Sequence, residues 1–131
     1  MSIKKKEKIL YWLTSADNDW RAVCHLFEKK DYAHSLFFAH LTLEKILKAL
    51  YVAKHNTTPP FSHRLVYLAE KSELILNNHQ IELLEIVTDF NMEVRYPDEK
   101  LAFYKKCTKK FTSKYIGDVG ELKEWLKRQI K

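Results

Sequence analysis

Ile9, Leu13, Ala16, Trp20, Val23 and Phe27 step along the chain by four and three residues in turn, which places them on one stripe of a helix running from about Lys5 to Glu28. A second stripe follows with the same stepping: Leu36, His40, Leu43, Leu47 and Leu50, with Asp31 as the expected N-cap and an expected end near Lys54. Two helices of this length each reach about 30–35 Å at a rise of about 1.5 Å per residue. A short connection makes them antiparallel neighbours, and the rest of the chain must pack against that pair. Only 2 Gly and 3 Pro among 131 residues leave too few turn-formers for a sheet-rich fold. The expected class is all-α, in a single domain spanning residues 1–131.

The remaining elements follow from local signals. HNTTPPFSH cannot be helical through its paired prolines and reads as a surface loop. Ser62 is expected to cap a short third helix carrying Leu65, Leu68 and Ala69. Asn77 and Asn78 interrupt the chain before a fourth helix with Ile81, Leu84, Val87 or Thr88, Asn91 and Val94, which Pro97 ends close to Arg95 or Tyr96. A helix is expected within Leu101 to Tyr115, without defined ends. Gly117 and Gly120 are expected to bracket a break before a last amphipathic helix of Leu122, Trp125, Leu126 and Ile130.

No apolar run approaches the roughly 18–20 residues that cross a bilayer, and the Met-Ser-Ile-Lys-Lys-Lys start is not followed by a signal-type apolar segment. A soluble, cytoplasmic protein with no membrane partner is expected. Cys24 and Cys107 are isolated, which fits reduced thiols and indicates neither a zinc site nor a disulfide framework. The formal charge of +6 is uneven: Lys100 to Lys131 holds ten Lys or Arg against Asp118, Glu121 and Glu124. A basic final third suits RNA, a nucleotide or an acidic protein surface, and equally a solvated lysine face. Tyr11, Trp12, Phe37, Phe38, Tyr51, Phe61, Tyr67, Phe103, Tyr104 and Phe111 exceed what one small core can take. Some are expected at an interface, and a homodimer is the expected assembly.

Polar residues set into the apolar stripes are the candidate site. His40 and Glu44 are one helical turn apart on the same face, where a carboxylate can orient an imidazole. That spacing alone carries no metal site, and no metal or other cofactor is expected. A satisfied core or interface histidine is the competing account of His40. Asn91 and Arg95 form a second pair, with the planar fork of Arg95 suited to phosphate and Tyr96 beside it able to stack on a base or ribose. An internal pairing of Arg95 with Glu44 or Asp98 is the alternative.

The ordered set of Ala16, Asp19-Trp20, Tyr32-Ala33, HLTLEKILKAL over His40 to Leu50 with Glu44 and Lys48, Ser62-His63 with Leu65 and Leu68, then Asn91 and Arg95-Tyr96-Pro97-Asp98 resembles the HEPN domains. These are small helical domains associated with nucleotide binding. The resemblance spans about residues 7 to 131. It implies an up-and-down bundle of four to five main helices, commonly dimeric and often encoded beside a minimal nucleotidyltransferase of the MNT type. It further implies nucleotide or RNA contacts at His40, Glu44, Lys48, His63, Asn91, Arg95, Tyr96 and Lys100.

Many members of that family are metal-independent ribonucleases, some of them toxins whose neighbouring nucleotidyltransferase is the antitoxin. In those nucleases an Arg is followed within two helical turns by a His. The corresponding positions after Arg95 hold Lys100, Leu101 and Ala102. RNA cleavage needs a group that exchanges a proton with the ribose 2′-hydroxyl or the leaving oxygen. Lysine at Lys100 would need a strongly depressed pKa to do so. Tyr104 is a second candidate acid, and His40 or His63 could be recruited across the fold. Three functions follow: a HEPN module binding nucleotide or RNA phosphate beside a nucleotidyltransferase, a ribonuclease toxin built on Arg95 and Tyr104, or a structural interaction module.

Overall fold

The computed structural model describes residues 2–130 and contains helices and turns, with no strand among the described residues. Six α-helices follow in order: α1 (Ile3–Glu28), α2 (Tyr32–His55), α3 (Leu65–Lys71), α4 (Asn78–Thr88), α5 (Pro97–Lys106) and α6 (Lys109–Arg128), with a 3-10 turn at Met92–Val94 before α5. The all-α expectation holds. None of these helices is long and apolar enough to cross a membrane.

α2 is the centre of the bundle. Leu36, Ala39, Leu43, Ile46, Leu47 and Leu50 are all buried, a wider apolar arc than a surface helix carries. α1 packs along it on one side, with α6 and α3 on others. Val23 and Ala16 of α1 and Val119, Leu122 and Leu126 of α6 complete this core. Ser2 caps α1 by accepting from the Lys5 N–H (3.1 Å), while Asn56 ends α2 in the left-handed conformation, φ 51°. Lys45 of α2 ties back to Asp19 of α1 at 2.6 Å.

Local chemistry shifts several expected boundaries. Asp31 stands at the N-cap position of α2, but its carboxylate takes His34 Nδ1 (2.8 Å) in place of a backbone N–H. Ser62 does not cap α3. Its hydroxyl accepts from the Arg64 N–H (3.1 Å), and Thr88 Oγ1 serves the Leu65 N–H at the start of the helix (3.2 Å). Asn77 closes a capping box with Gln80 at the head of α4.

α4 stops at Thr88, before Asn91, so Asn91 and Arg95 are not on successive turns of one helix. Pro97 opens α5 at its first position instead of ending α4, the place where a missing N–H costs nothing. Gly117 and Gly120 do not break the chain but lie inside α6. Each glycine costs a helix interior about 1 kcal/mol, and the buried row Thr112, Val119, Leu122 and Leu126 on either side outweighs that. At Gly120 a Cβ would stand 3.5 Å from the Trp20 ring, so that ring, reaching over from α1, rests against α6 there. The segment Leu101 to Tyr115 divides at Cys107 and Thr108, where the Thr108 hydroxyl accepts from the Phe111 N–H (3.1 Å) and starts α6.

Candidate functional site

Two polar constellations emerge, one inside α2 and one at the α4–α5 corner. In the first, His40, Glu44 and Lys48 project from consecutive turns of α2 and are all buried, Glu44 to 4% and Lys48 to 7% exposure. Lys48 Nζ donates to Glu44 Oε2 (3.0 Å), and His63 Nδ1–H, from the loop before α3, donates to Glu44 Oε1 (2.7 Å). The carboxylate is thus held by a cation on one oxygen and an imidazole on the other, which is what a buried charge requires. The Lys48 ammonium also sits 5.3 Å from the Trp12 ring centroid of α1.

His40 completes this group from below. Its Nε2–H donates to the backbone carbonyl of His63 (3.0 Å) and lies 3.8 Å from Glu44 Oε1, while Nδ1 is buried with no partner. Burial pushes the His40 pKa down from its ordinary 6.5, against the opposing pull of the His63 carbonyl and of Glu44 and Glu93, so the ring is neutral. The sequence thus placed His40 and Glu44 on one face and named Lys48 and His63 through the family resemblance, and the structure brings the four together.

The second constellation surrounds Arg95. A cleft of about 500 Å³ opens between α4, α5 and the start of α6, with Asp89, Arg95, Glu99, Phe103, Lys106 and Tyr115 among its walls. The Arg95 guanidinium lies over the Phe103 ring at 5.0 Å and donates through Nη2 to the Asp89 carbonyl, while its Nε is buried without a partner. Among the described residues it makes no ion pair with Glu44 or Asp98. Phe90, Phe103, Phe111 and Tyr115 form one aromatic group behind it, with centroids 4.8 to 6.1 Å apart.

The other expected residues fall around these two groups. Asn91, 3% exposed, turns its Oδ1 onto the Glu93 N–H (3.1 Å) and shapes the 3-10 turn that delivers Arg95. Tyr96 is 74% exposed. Lys100 and Tyr104 do not line the Arg95 cleft, and the Tyr104 ring instead leans on His34, with centroids 5.9 Å apart. Asp89, Glu99 and Lys106 were missed by the sequence reading as site residues, since nothing in their spacing marks a cleft that forms only when α4, α5 and α6 meet. Phe103 and Phe111 were visible only as part of the aromatic surplus.

Among the described residues no group of three or more His, Cys, Asp or Glu is arranged to hold a metal ion. No curated protein and no solved structure matches the chain significantly. The family model of the HEPN domain matches residues 9–129, nearly the whole length. With its helical bundle and its polar α2 helix, the chain belongs to the HEPN domain family.

Proposed function

We propose that this HEPN domain binds a nucleotide or the phosphate backbone of RNA in the Arg95 cleft, as a binding module, and works as a homodimer beside a minimal nucleotidyltransferase of the MNT type. Family membership supports a nucleotide- or RNA-related role in general. The observation that carries the specific reading is the Arg95 guanidinium, 5.0 Å from the Phe103 ring centroid and bonded through only one Nη2–H to the Asp89 carbonyl, at the edge of an aromatic-walled cleft.

A guanidinium held by a ring and one carbonyl loses little freedom on meeting a phosphate, and its remaining N–H groups match two phosphate oxygens. Lys106 adds a second positive charge at the same cleft. The Asp89 and Glu99 carboxylates suit ribose hydroxyls, so the walls favour a whole nucleotide over a bare phosphate. No histidine lines the cleft, and neither Lys100 nor Tyr104 reaches its walls, which favours binding over proton-transfer chemistry. Exposed Val94 and Leu101 beside it support self-association, and the basic stretch through α5 and α6 supports an anionic partner.

Thermal melting at low salt with AMP or a short oligoribonucleotide tests the reading. At a hundredfold excess over Kd the ligand contributes about 2.7 kcal/mol, or about 8–10 °C in Tm for a domain of this size. Arg95→Ala, at the edge of the core, is expected to melt near the wild type and to lose that rise. No rise with any nucleotide or RNA would remove the basis of the proposal. RNA cleavage in the presence of chelator, lost in Arg95→Ala, would favour the ribonuclease reading instead.

A further inference from the structure

The loop from Asn56 to Arg64 is fastened with unusual care for a surface connection. Pro59 and Pro60 restrict its backbone, and His63 is tied at two points: its ring Nδ1–H to buried Glu44 (2.7 Å) and its carbonyl to His40 (3.0 Å). At the far end the Leu65 N–H is taken by Thr88 (3.2 Å). A buried carboxylate with its Lys48 counter-charge is a costly way to hold a loop that a leucine would hold as well. What this fixing achieves is the display of three side chains.

Phe61 is 93% exposed and contributes nothing to the core, yet its ring is set edge-on against His63 at 5.7 Å and 65°. His63 has Nδ1 committed to Glu44 and its side chain about one third open. With its ring proton on Nδ1 facing the carboxylate, the other nitrogen, Nε2, is an acceptor of fixed direction. Arg64 is exposed, its guanidinium 5.9 Å from the Tyr67 ring, and among the described residues its head group has no carboxylate partner. An aromatic face, an oriented acceptor and an unpaired guanidinium therefore stand within four consecutive positions of one rigid segment.

We propose that Phe61, His63 and Arg64 form a ribose-selective contact for single-stranded RNA, separate from the Arg95 cleft. A base stacks on Phe61, a backbone phosphate meets Arg64, and the ribose 2′-hydroxyl donates to His63 Nε2. Stacking on an aromatic side chain is tolerant of base identity, whereas the 2′-hydroxyl is the group that separates RNA from DNA. Glu44 acts here as a positioning residue, because its bond to Nδ1 determines which ring nitrogen accepts. Loop preorganisation reduces the ordering cost of binding.

The test is fluorescence anisotropy with a labelled oligoadenylate and its deoxy counterpart, across a salt series, on the wild type, Phe61→Ala, Arg64→Gln, His63→Gln and Arg95→Ala. Phe61 and Arg64 are exposed, so their variants keep the fold, as circular dichroism will verify. Phe61→Ala is expected to weaken RNA binding by about tenfold or more, and Arg64→Gln to flatten the salt dependence by about 0.7 in log–log slope. His63→Gln retains a donor for Glu44 but lacks the second ring nitrogen, so it should erase the preference for RNA over DNA.

Wild-type affinity in Phe61→Ala and Arg64→Gln would overturn the proposal, as would equal binding of RNA and DNA by the wild type. Loss of binding in Arg95→Ala alone would leave the cleft reading standing and this one refuted. Loss in Phe61→Ala and Arg64→Gln with Arg95→Ala unaffected would do the reverse. A wild type that binds no RNA at low salt overturns the loop site outright.

Discussion

Glu44→Leu should be among the most damaging single changes in this chain, because it leaves a charge behind. Lys48 is 7% exposed and its ammonium faces Glu44 Oε2 at 3.0 Å. Without the carboxylate it must be neutralised or dragged toward water, past the Trp12 ring that it covers. Removing one member of a buried pair costs about 3–5 kcal/mol. That is a large share of the roughly 5–15 kcal/mol that a native domain possesses. His63 also loses its 2.7 Å bond, but its ring is partly open and water can replace the partner.

Urea unfolding followed by circular dichroism gives the number. With an m-value of about 2 kcal/mol per molar, the midpoint should fall by about 1.5–2.5 M at unchanged m. The decisive comparison is the double variant Glu44→Leu with Lys48→Met, which removes both charges and fills the space with apolar atoms. It should recover most of the loss, since replacing a whole buried pair is close to neutral. A single variant within about 1 kcal/mol of wild type would refute the account of Glu44 as the compensating charge. A double variant no better than the single would show that the damage comes from packing or from the loop, not from Lys48.

The buried neutral His40 makes stability acid-sensitive: its pKa is lowered in the fold by burial, so the unfolded chain binds the proton more readily. Stability is therefore complete above pH 6.5 and should decline as the pH falls below it; a urea midpoint unchanged between pH 7.5 and 5.5 would contradict this. Gly117 lies inside α6, and a Cβ added there would meet nothing within 4 Å. Its replacement by alanine should therefore gain about 0.5–1 kcal/mol, read as a higher Tm. Burial pushes the Cys107 thiol up to about 11, whereas Cys24 is exposed. Iodoacetamide at pH 8 should therefore modify Cys24 in the folded protein and Cys107 only in urea, as peptide mass spectrometry would show.

The long helices were legible because their apolar residues repeat at the helical period, and Leu36, Leu43, Leu47 and Leu50 are indeed buried. What the sequence did not reveal were boundaries that depend on which group takes a given N–H. Thr88 serves the start of α3 from a distant part of the chain, so no local rule could have displaced Ser62 from that duty. The glycines of α6 show the converse. Their propensity argues for a break, and a buried row on either side of them overrides it.

The candidate site divides along the same line. His40, Glu44 and Lys48 share one helix, so spacing alone brings them together, whereas the contact of His63 with Glu44 comes from another part of the chain and shows only in the structure. Asn91 and Arg95 have the same spacing as His40 and Glu44, but only a 3-10 turn and no α-helix joins them: α4 has already ended at Thr88, and Asn91 has turned its side chain onto Glu93. Spacing is evidence of proximity only where the backbone between the residues keeps its hydrogen-bond ladder. At the α4–α5 corner that ladder is broken, and the break is what frees Arg95 to lie over Phe103 at the edge of the cleft. An unbroken helix through Arg95 would have required Pro97 in its last turn and would have merged the corner that α5 now opens. The disruption that hid this residue from sequence periodicity is therefore the same feature that makes its guanidinium available to a ligand.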